Sequence, residues 1–323
     1  MTNAGNGLKL VFCGTPQFAV PTLEALLAAG HEVALVVSQP DRLAGRDHQL
    51  TASAIKQAAL AATLAVTQPE KIRSNAEFRS QLESIAPDAI VVVAYGRIVP
   101  PWMLALPRLG CINLHASLLP KYRGAAPIQW AIALGDAYTG NTTMLLEEGL
   151  DTGPILLQQT IEIGPEQTAA DLFPVLARAG APLVVETLAG LANGTIHPQP
   201  QNHESATFAP LLDREDGRID FAARTAHEIY NRWRGFQPWP GAFTVLSGKK
   251  LIVHRMAIAK GSYAEALGFA EPGWILVENR RLLAACAANT WLEFLELQVE
   301  GKKRLTADEF LRGNPLPADA RLG

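Results

Sequence analysis

Asp88–Ala94 reads DAIVVVA, one acidic residue followed by an unbroken apolar, β-branched run. A strand with one face in water alternates apolar and polar positions; this run has no polar face and must be covered on both sides. The same texture recurs outward from it. Leu8–Cys13 is apolar and ends in Gly14-Thr15-Pro16. Val20–Ala29 has a helical pattern closed by Gly30, Val33–Val37 is a second strand, and Cys111–Leu114 is another. Asn75–Ile85 and Pro127–Leu134 read as helices. Strands without alternation, separated by helices, predict an α/β domain: a Rossmann-like, mostly parallel sheet with helices on both faces. Thr142–Glu147 and Ile155–Ile163 read as an added antiparallel pair around a Gly-rich turn, and Thr168 opens a helix running to about Ala192, with a kink expected at Pro174.

From His197 to Asp216 the chain is polar, carries prolines and loses periodicity, as a linker does. Beyond it come a short helix, Ala223–Arg232, and strand-like runs at Phe243–Leu246, Leu251–His254, Trp274–Glu278, Leu282–Cys286 and Trp291–Gln298. Short strands with Gly-Lys-Lys turns predict a small OB-like β-barrel. The expected division is a domain over 1–198, a linker over 199–216 and the barrel over 217–323.

Composition narrows the class. Of 323 residues, 48% are hydrophobic and 18% charged, the balance of a globular chain rather than a disordered one. Met1–Gly7 lacks a basic start or an apolar run, so no signal peptide is expected, and the longest apolar runs are strand-sized, so no membrane span is expected either. Net charge is −3, with 12 Lys and Arg against 16 Asp and Glu up to Pro200 and 16 against 15 beyond it. A polyanion would therefore need a local patch. Cys13, Cys111 and Cys286 are far apart and outside any CxxC, which reads as three buried small apolar residues rather than a disulfide framework or a metal site.

The first βα turn, Gly14-Thr15-Pro16-Gln17-Phe18, lacks the later glycines of a dinucleotide fingerprint, and no P-loop is present. The informative segment is Cys111-Ile-Asn-Leu-His-Ala-Ser-Leu-Leu-Pro-Lys-Tyr-Arg-Gly124. In a strand, Asn113 and His115 share a face while Ile112 and Leu114 take the other. An amide donor beside an imidazole, at the strand end where open α/β sheets bind ligands, suits stabilisation of an oxyanion. Structural hydrogen bonds are the other use of such a pair. Gly149-Leu-Asp-Thr-Gly-Pro154 lets the backbone approach a flat ligand, and Asp151 can orient His115 or relay a proton; an Asx-turn is its other reading.

Together, Asn-x-His-x-Ser-Leu-Leu-Pro and, about thirty residues on, Leu-Asp-x-Gly-Pro resemble the signature of the folate-dependent formyltransferases. The resemblance runs from about Leu8 to Leu311 and is weakest between Met256 and Gly273. It implies that Asn113, His115 and Asp151 are catalytic, and that Ser117, Leu118, Leu119 and Pro120, the Tyr95-Gly96-Arg97-Ile98 stretch, and Glu148, Gly149 and Leu150 hold the folate. Within that superfamily, Ser38-Gln-Pro-Asp-Arg-Leu-Ala-Gly-Arg46 resembles the loop of the branch that formylates methionyl-tRNA, with His48-Gln49 where many members carry lysines. Phe236-Gln-Pro-Trp-Pro240 is similar to an element of the same branch, and its rings are read as core anchors. Sugar-nucleotide formyltransferases share the Leu-His-x-Ser-Leu-Leu-Pro segment but not the Arg42 loop.

The resemblance implies 10-formyltetrahydrofolate as formyl donor and initiator methionyl-tRNA as acceptor. It implies tRNA contacts at Arg42 and Arg46, and the basic turns add Lys249, Lys250, Lys302 and Lys303 as candidates. The sequence offers no ligand cluster at metal-binding spacing, so no metal is expected. With neither signal peptide nor span expected, a cytoplasmic location is expected, and a monomer.

Overall fold

The computed structural model describes residues 7–44, 49–260, 263, 269–317 and 319–323. Met1–Asn6 of the polar tail, and Arg46 with His48 of the arginine loop, lie outside the described residues. The chain divides into two compact units. Met1–Pro127, Tyr138–Glu162 and Asp171–Pro210 make the first; Ile128–Ala137, Ile163–Ala170 and Leu211–Gly323 make the second.

The first unit is built on β1 (Lys9–Gly14), β2 (Glu32–Val37), β5 (Val66–Thr67), β6 (Ala89–Val93), β7 (Cys111–His115), β8 (Tyr138–Leu145) and β9 (Ile155–Glu162). They form one sheet in the order β5-β2-β1-β6-β7-β8-β9, parallel through β7, with β8 and β9 antiparallel. All five residues of β6 are buried, as a strand without a polar face requires. Its core includes Val11, Leu35, Phe78, Leu82, Ile90 and Met103. Among the helices are α1 (Val20–Ala28), α2 (Ala54–Ala61), α3 (Ala76–Ile85) and α4 (Pro101–Leu104). Asn75 is the cap of α3 rather than its first residue: its side chain accepts the Phe78 N–H at 3.0 Å.

The helix read from Thr168 runs Ala169–Asn193 and continues through both Pro174 and Pro182. It follows α5 (Pro127–Ala133) in chain order and is α6. By length and composition α6 is apolar enough to cross a membrane, where the sequence predicts strand-sized apolar runs only; half of its most apolar stretch is buried inside the protein. Its contacts are those of a core helix. A Cβ on Gly180 would come within 2.6 Å of Leu114 Cδ2, Asn141 Nδ2 donates to Leu176 O at 2.9 Å, and the Thr143 and Thr187 hydroxyls meet at 2.7 Å. α6 thus seals the Leu114 face of β7 and leaves Asn113 and His115 on the opposite one.

In the arginine loop, Arg42–Ala44 and Gln49–Thr51 form a two-stranded antiparallel sheet, β3 and β4, where the sequence reads as loop. The stretch read as a linker is strapped, up to Pro210, onto the first unit. Gln199 and Ile155 exchange two backbone hydrogen bonds of 2.8 Å, and Arg123 and Ala209 are joined at 2.7 Å.

In the second unit α7 (Ala226–Gly235) starts on a capping box of Thr225 and Glu228. The strands β10 (Phe243–Leu246), β11 (Lys249–Ile258), β12 (Ile275–Glu278), β13 (Arg281–Cys286), β14 (Thr290–Val299) and β15 (Leu305–Thr306) form an antiparallel sheet in the order β10-β11-β14-β13-β12, with β15 on β14. Leu322 bridges to Leu246, Arg321 bridges to Trp274, and the Leu322 N–H donates to Gly273 O, so the last residues pair at both edges of this sheet. A small β domain after an α/β domain is what the sequence predicts. The β10–β11 turn is Ser247-Gly248, at φ +49° and +75°, so Lys249 and Lys250 open the strand rather than sit in the turn. α8 (Ala307–Gly313), unforeseen from sequence, begins on a second capping box, Thr306 with Glu309. In the Phe236–Pro240 element only Phe236 is a core anchor, packed edge-on against Trp130; Trp239 is 52% exposed.

Candidate active site

β6 and β7 run side by side, with Val93 opposite Leu114, so the segments that leave them, 94–98 and 116–124, are neighbours. β7 places Asn113, half-buried, and His115, buried, on the face that α6 leaves free. The turn from β8 to β9 carries Asp151 back to this strand. His115 Nδ1 lies 3.7 Å from Asp151 Oδ2, and His115 Nε2 lies 2.9 Å from Tyr122 O. A carbonyl only accepts, so Nε2 must carry the proton, and Nδ1 is the nitrogen left to act. At 3.7 Å the carboxylate is beyond direct hydrogen-bond reach of Nδ1, which keeps that nitrogen available to an incoming atom. Asp151 Oδ2 accepts the Gly124 N–H at 2.7 Å.

The surrounding backbone is strained. Asp151 sits at φ +50°, Tyr122 at +62° and Gly124 at +120°. Non-glycine residues persist in the left-handed region only where their surroundings over-determine them, and such residues cluster at functional sites. Gln201 supplies much of that determination: its Nε2 donates to Asp151 O at 2.8 Å and to Gly153 O at 2.7 Å.

The other candidates divide between those that reach outward and those that shape the backbone. Ile98 is 87% exposed and Leu150 61%, while Glu148 and Gly149 are exposed beside Leu150. Tyr95 contributes main chain only; its ring is 2% exposed, and burial pushes its phenol well above the usual value. Gly96 lies at φ +73°, where a Cβ would press on Gln39 Nε2 at 2.6 Å. Arg97 Nη1 donates to Glu70 O. The Ser117 hydroxyl donates to Lys121 O at 2.6 Å, and Ser117 O accepts from Thr142 Oγ1 at 2.6 Å. Leu119 is buried, Leu118 and Pro120 half-buried, and Leu119 N–H donates to Thr142 Oγ1 at 3.2 Å. Thr142 was not foreseen; nothing in its local sequence distinguishes it from its neighbours Thr139 and Thr143.

Arg42 is exposed, and its Nη2 donates to Gln39 Oε1 at 2.7 Å; Gln39 Nε2 in turn donates to Tyr95 O at 2.8 Å and Gly96 O at 3.2 Å. In the second unit Leu251 pairs with Val299 and Glu300 N–H donates to Lys250 O, which brings Lys249 and Lys250 to the same sheet end as Lys302 and Lys303. Lys250 Nζ lies 3.9 Å from the Phe243 ring centroid, whereas Lys249, Lys302 and Lys303 are exposed. Among the described residues no cluster of three or more His, Cys, Asp or Glu side chains is placed to hold a metal.

Residues 8–188 match the formyl transferase family, and residues 211–315 match the formyl transferase C-terminal domain. A methionyl-tRNA formyltransferase from Acidobacterium capsulatum is 65% identical over 98% of this chain and 100% of its own. The chain belongs to the methionyl-tRNA formyltransferases. The enzyme of the same description from Koribacter versatilis is 57% identical, over 96% of this chain and 97% of its own. Among solved structures, an N-formyltransferase from Helicobacter canadensis, in complex with folinic acid and dTDP-3-aminofucose, superimposes with a TM-score of 0.64 at 19% identity, covering 89% of this chain and 98% of that one. At that identity the likeness concerns the fold alone.

Proposed function

We propose that this chain transfers the formyl group of 10-formyltetrahydrofolate to the α-amino group of methionine on initiator tRNA, a step in translation initiation. The observation that carries the reading is the convergence of the motif residues: His115 and Asp151 face each other at 3.7 Å, with Asn113 on the same strand face as His115.

In this reading the neutral amine attacks the formyl carbon, and a C–N bond forms as the carbonyl becomes an oxyanion. Asn113 and the Nδ1–H of a cationic His115 stabilise that charge, a contribution whose loss typically slows such chemistry about 10²–10³-fold. Asp151, fixed through Gly124 N–H, balances the imidazolium and helps move the amine proton toward folate N10. The bond from N10 to the formyl carbon then breaks, and tetrahydrofolate leaves. Exposed Ile98 and Leu150 suit the apolar faces of a pterin, and the backbone of 95–98 suits its hydrogen-bonding edge. Ser117–Pro120 and Glu148–Gly149 complete that holding surface.

The reading assigns residues 1–198 to catalysis, 199–216 to a linker and 217–323 to tRNA binding. Arg42 and Arg46 serve the acceptor end, and Lys249, Lys250, Lys302 and Lys303 offer a local cationic edge. The enzyme acts in the cytoplasm as a monomer, without metal.

The test is transfer of labelled formyl from 10-formyltetrahydrofolate to methionyl initiator tRNA, with wild type and Arg42→Ala side by side. Robust transfer that collapses in the variant supports both the reaction and the loop's role. Failure of the wild type on tRNA, with transfer to an amino-sugar nucleotide instead, overturns the acceptor.

A further inference from the structure

We infer that Gln201, which lies in the stretch that reads as a linker, is the positioning residue that aims Asp151. The inference rests on the reading of Asp151 as a group of the reacting site.

Gln201 is 6% exposed and its hydrogen-bonding capacity is filled. Nε2 donates to Asp151 O at 2.8 Å and Gly153 O at 2.7 Å, while Oε1 accepts from Arg123 Nε at 3.1 Å and Nη2 at 2.6 Å. Two N–H groups and two lone pairs are all that an amide offers. Arg123, 4% exposed, decides which way the amide lies: a guanidinium has no acceptor, so the oxygen must face it and the NH2 must face the turn. The turn takes this shape at a cost in backbone energy, because Asp151 sits at φ +50°. Gly124 N–H holds its carboxylate and Gln201 holds its main chain, so the residue is gripped at both ends. Gly153 adds a second constraint, since a Cβ there would overlap the Leu145 carbonyl. The strap that carries Gln201 also pairs at Gln199 with Ile155 and at Ala209 with Arg123, which ties the aim of the carboxylate to the course of the chain before Leu211.

Gln201→Glu separates this role from simple packing. A carboxylate of the same length keeps Arg123 as a partner and gains an ion pair, but it cannot donate to the two carbonyls. Gln201→Met, apolar and equally long, carries the same expectation and stands in if the acidic variant unfolds. Formyl transfer is measured for wild type, Gln201→Glu, Asp151→Asn and the double variant. The expected result is a 10–100-fold lower kcat for Gln201→Glu with both KM values within about threefold, since a displacement of about 1 Å at a reacting group costs on that order. In the Asp151→Asn background the second substitution should lower kcat by no more than about twofold, because the group it aims is already gone. Wild-type kcat in a folded Gln201→Glu, with Asp151→Asn impaired, overturns the positioning role and leaves Asp151 standing. Full multiplication of the two losses also overturns it. Normal turnover in Asp151→Asn overturns the reading of Asp151, and the inference with it.

Discussion

Replacing Gly124 with alanine tests whether the Asp151 carboxylate must be held. Gly124 sits at φ +120°, which alanine adopts only under strain, and the new Cβ would lie 2.7 Å from the carbonyl oxygen of Ala209. Both pressures turn the residue away, and its N–H, 2.7 Å from Asp151 Oδ2, turns with it. A hydrogen bond to a charged group is worth about 1.5–3 kcal/mol. If all of it serves to hold the carboxylate for reaction, kcat falls by roughly 10–150-fold. The backbone strain adds about 1–3 kcal/mol of lost stability. Gly30→Ala supplies the matched control: its φ is +81° and nothing lies within 4 Å of the added Cβ. It should cost about 1–2 kcal/mol of stability and leave turnover alone. Single-turnover formyl transfer and thermal melts on both variants, at a temperature where both are folded, give the comparison. A folded Gly124→Ala within threefold of wild-type kcat refutes the reasoning, and so does a Gly30→Ala that loses turnover to the same degree.

Asn113→Ala should lose about 10²–10³-fold in kcat, and His115→Ala at least as much, measured by the same transfer assay. Asp88 accepts the Lys9 N–H at 2.8 Å and Arg108 Nε at 2.7 Å, and these bonds, the first foremost, hold its carboxyl below the usual carboxylate range. A depressed folded-state pKa gives stability that is complete above the unfolded value of about 4 and is lost as pH falls through the folded one. Wild type should therefore melt above Asp88→Asn at pH 7, and the gap should close as the solution is acidified below pH 4. Burial pushes the thiols of Cys13, Cys111 and Cys286 up, the latter two to about 12, so a thiol reagent at pH 8 should label the three only after denaturation.

The sheet was legible wherever a single physical constraint acts on neighbouring residues. DAIVVVA admits no polar face, and Ala89–Val93 is buried throughout. The alternation in Cys111–His115 likewise fixes which residues face α6. Asn113 and His115 could be placed side by side for that reason, whereas for Asp151 the local reading left an Asx-turn open and resemblance decided, since nothing local says that a turn 36 residues later folds back. The bonds of Gln201 and Gly124 to the Asp151 turn were illegible, since they span 50 and 27 residues; Gly124 closes the informative segment, but nothing there names its partner, and Gln201 lies in no pattern. The β3–β4 hairpin has only three residues in each strand, too few for a period to register. α8 is a different case, because Thr306 and Glu309 spell a capping box that local chemistry alone identifies. Phe236 and Trp239 show where the rule that large rings anchor cores stops: it holds for the first and not for the second.

The pairing of Arg321 and Leu322 with both margins of the second unit's sheet bears on how this protein behaves in concentrated solution. An antiparallel sheet left open offers two rows of unpaired N–H and C=O groups, which are templates for another copy's strands. Leu322 against Leu246 and Arg218 against Phe243 cover one side, and Arg321 and Leu322 against Trp274 and Gly273 cover the other, so each template is covered by a few residues only. Leu322 also belongs to the core that holds Phe221, Phe294 and Phe310, so fraying of so short a cover exposes sheet edge and loosens that core at once. Concentration-dependent self-association, arriving together with a lower melting temperature of this unit, is the expected symptom of damage there.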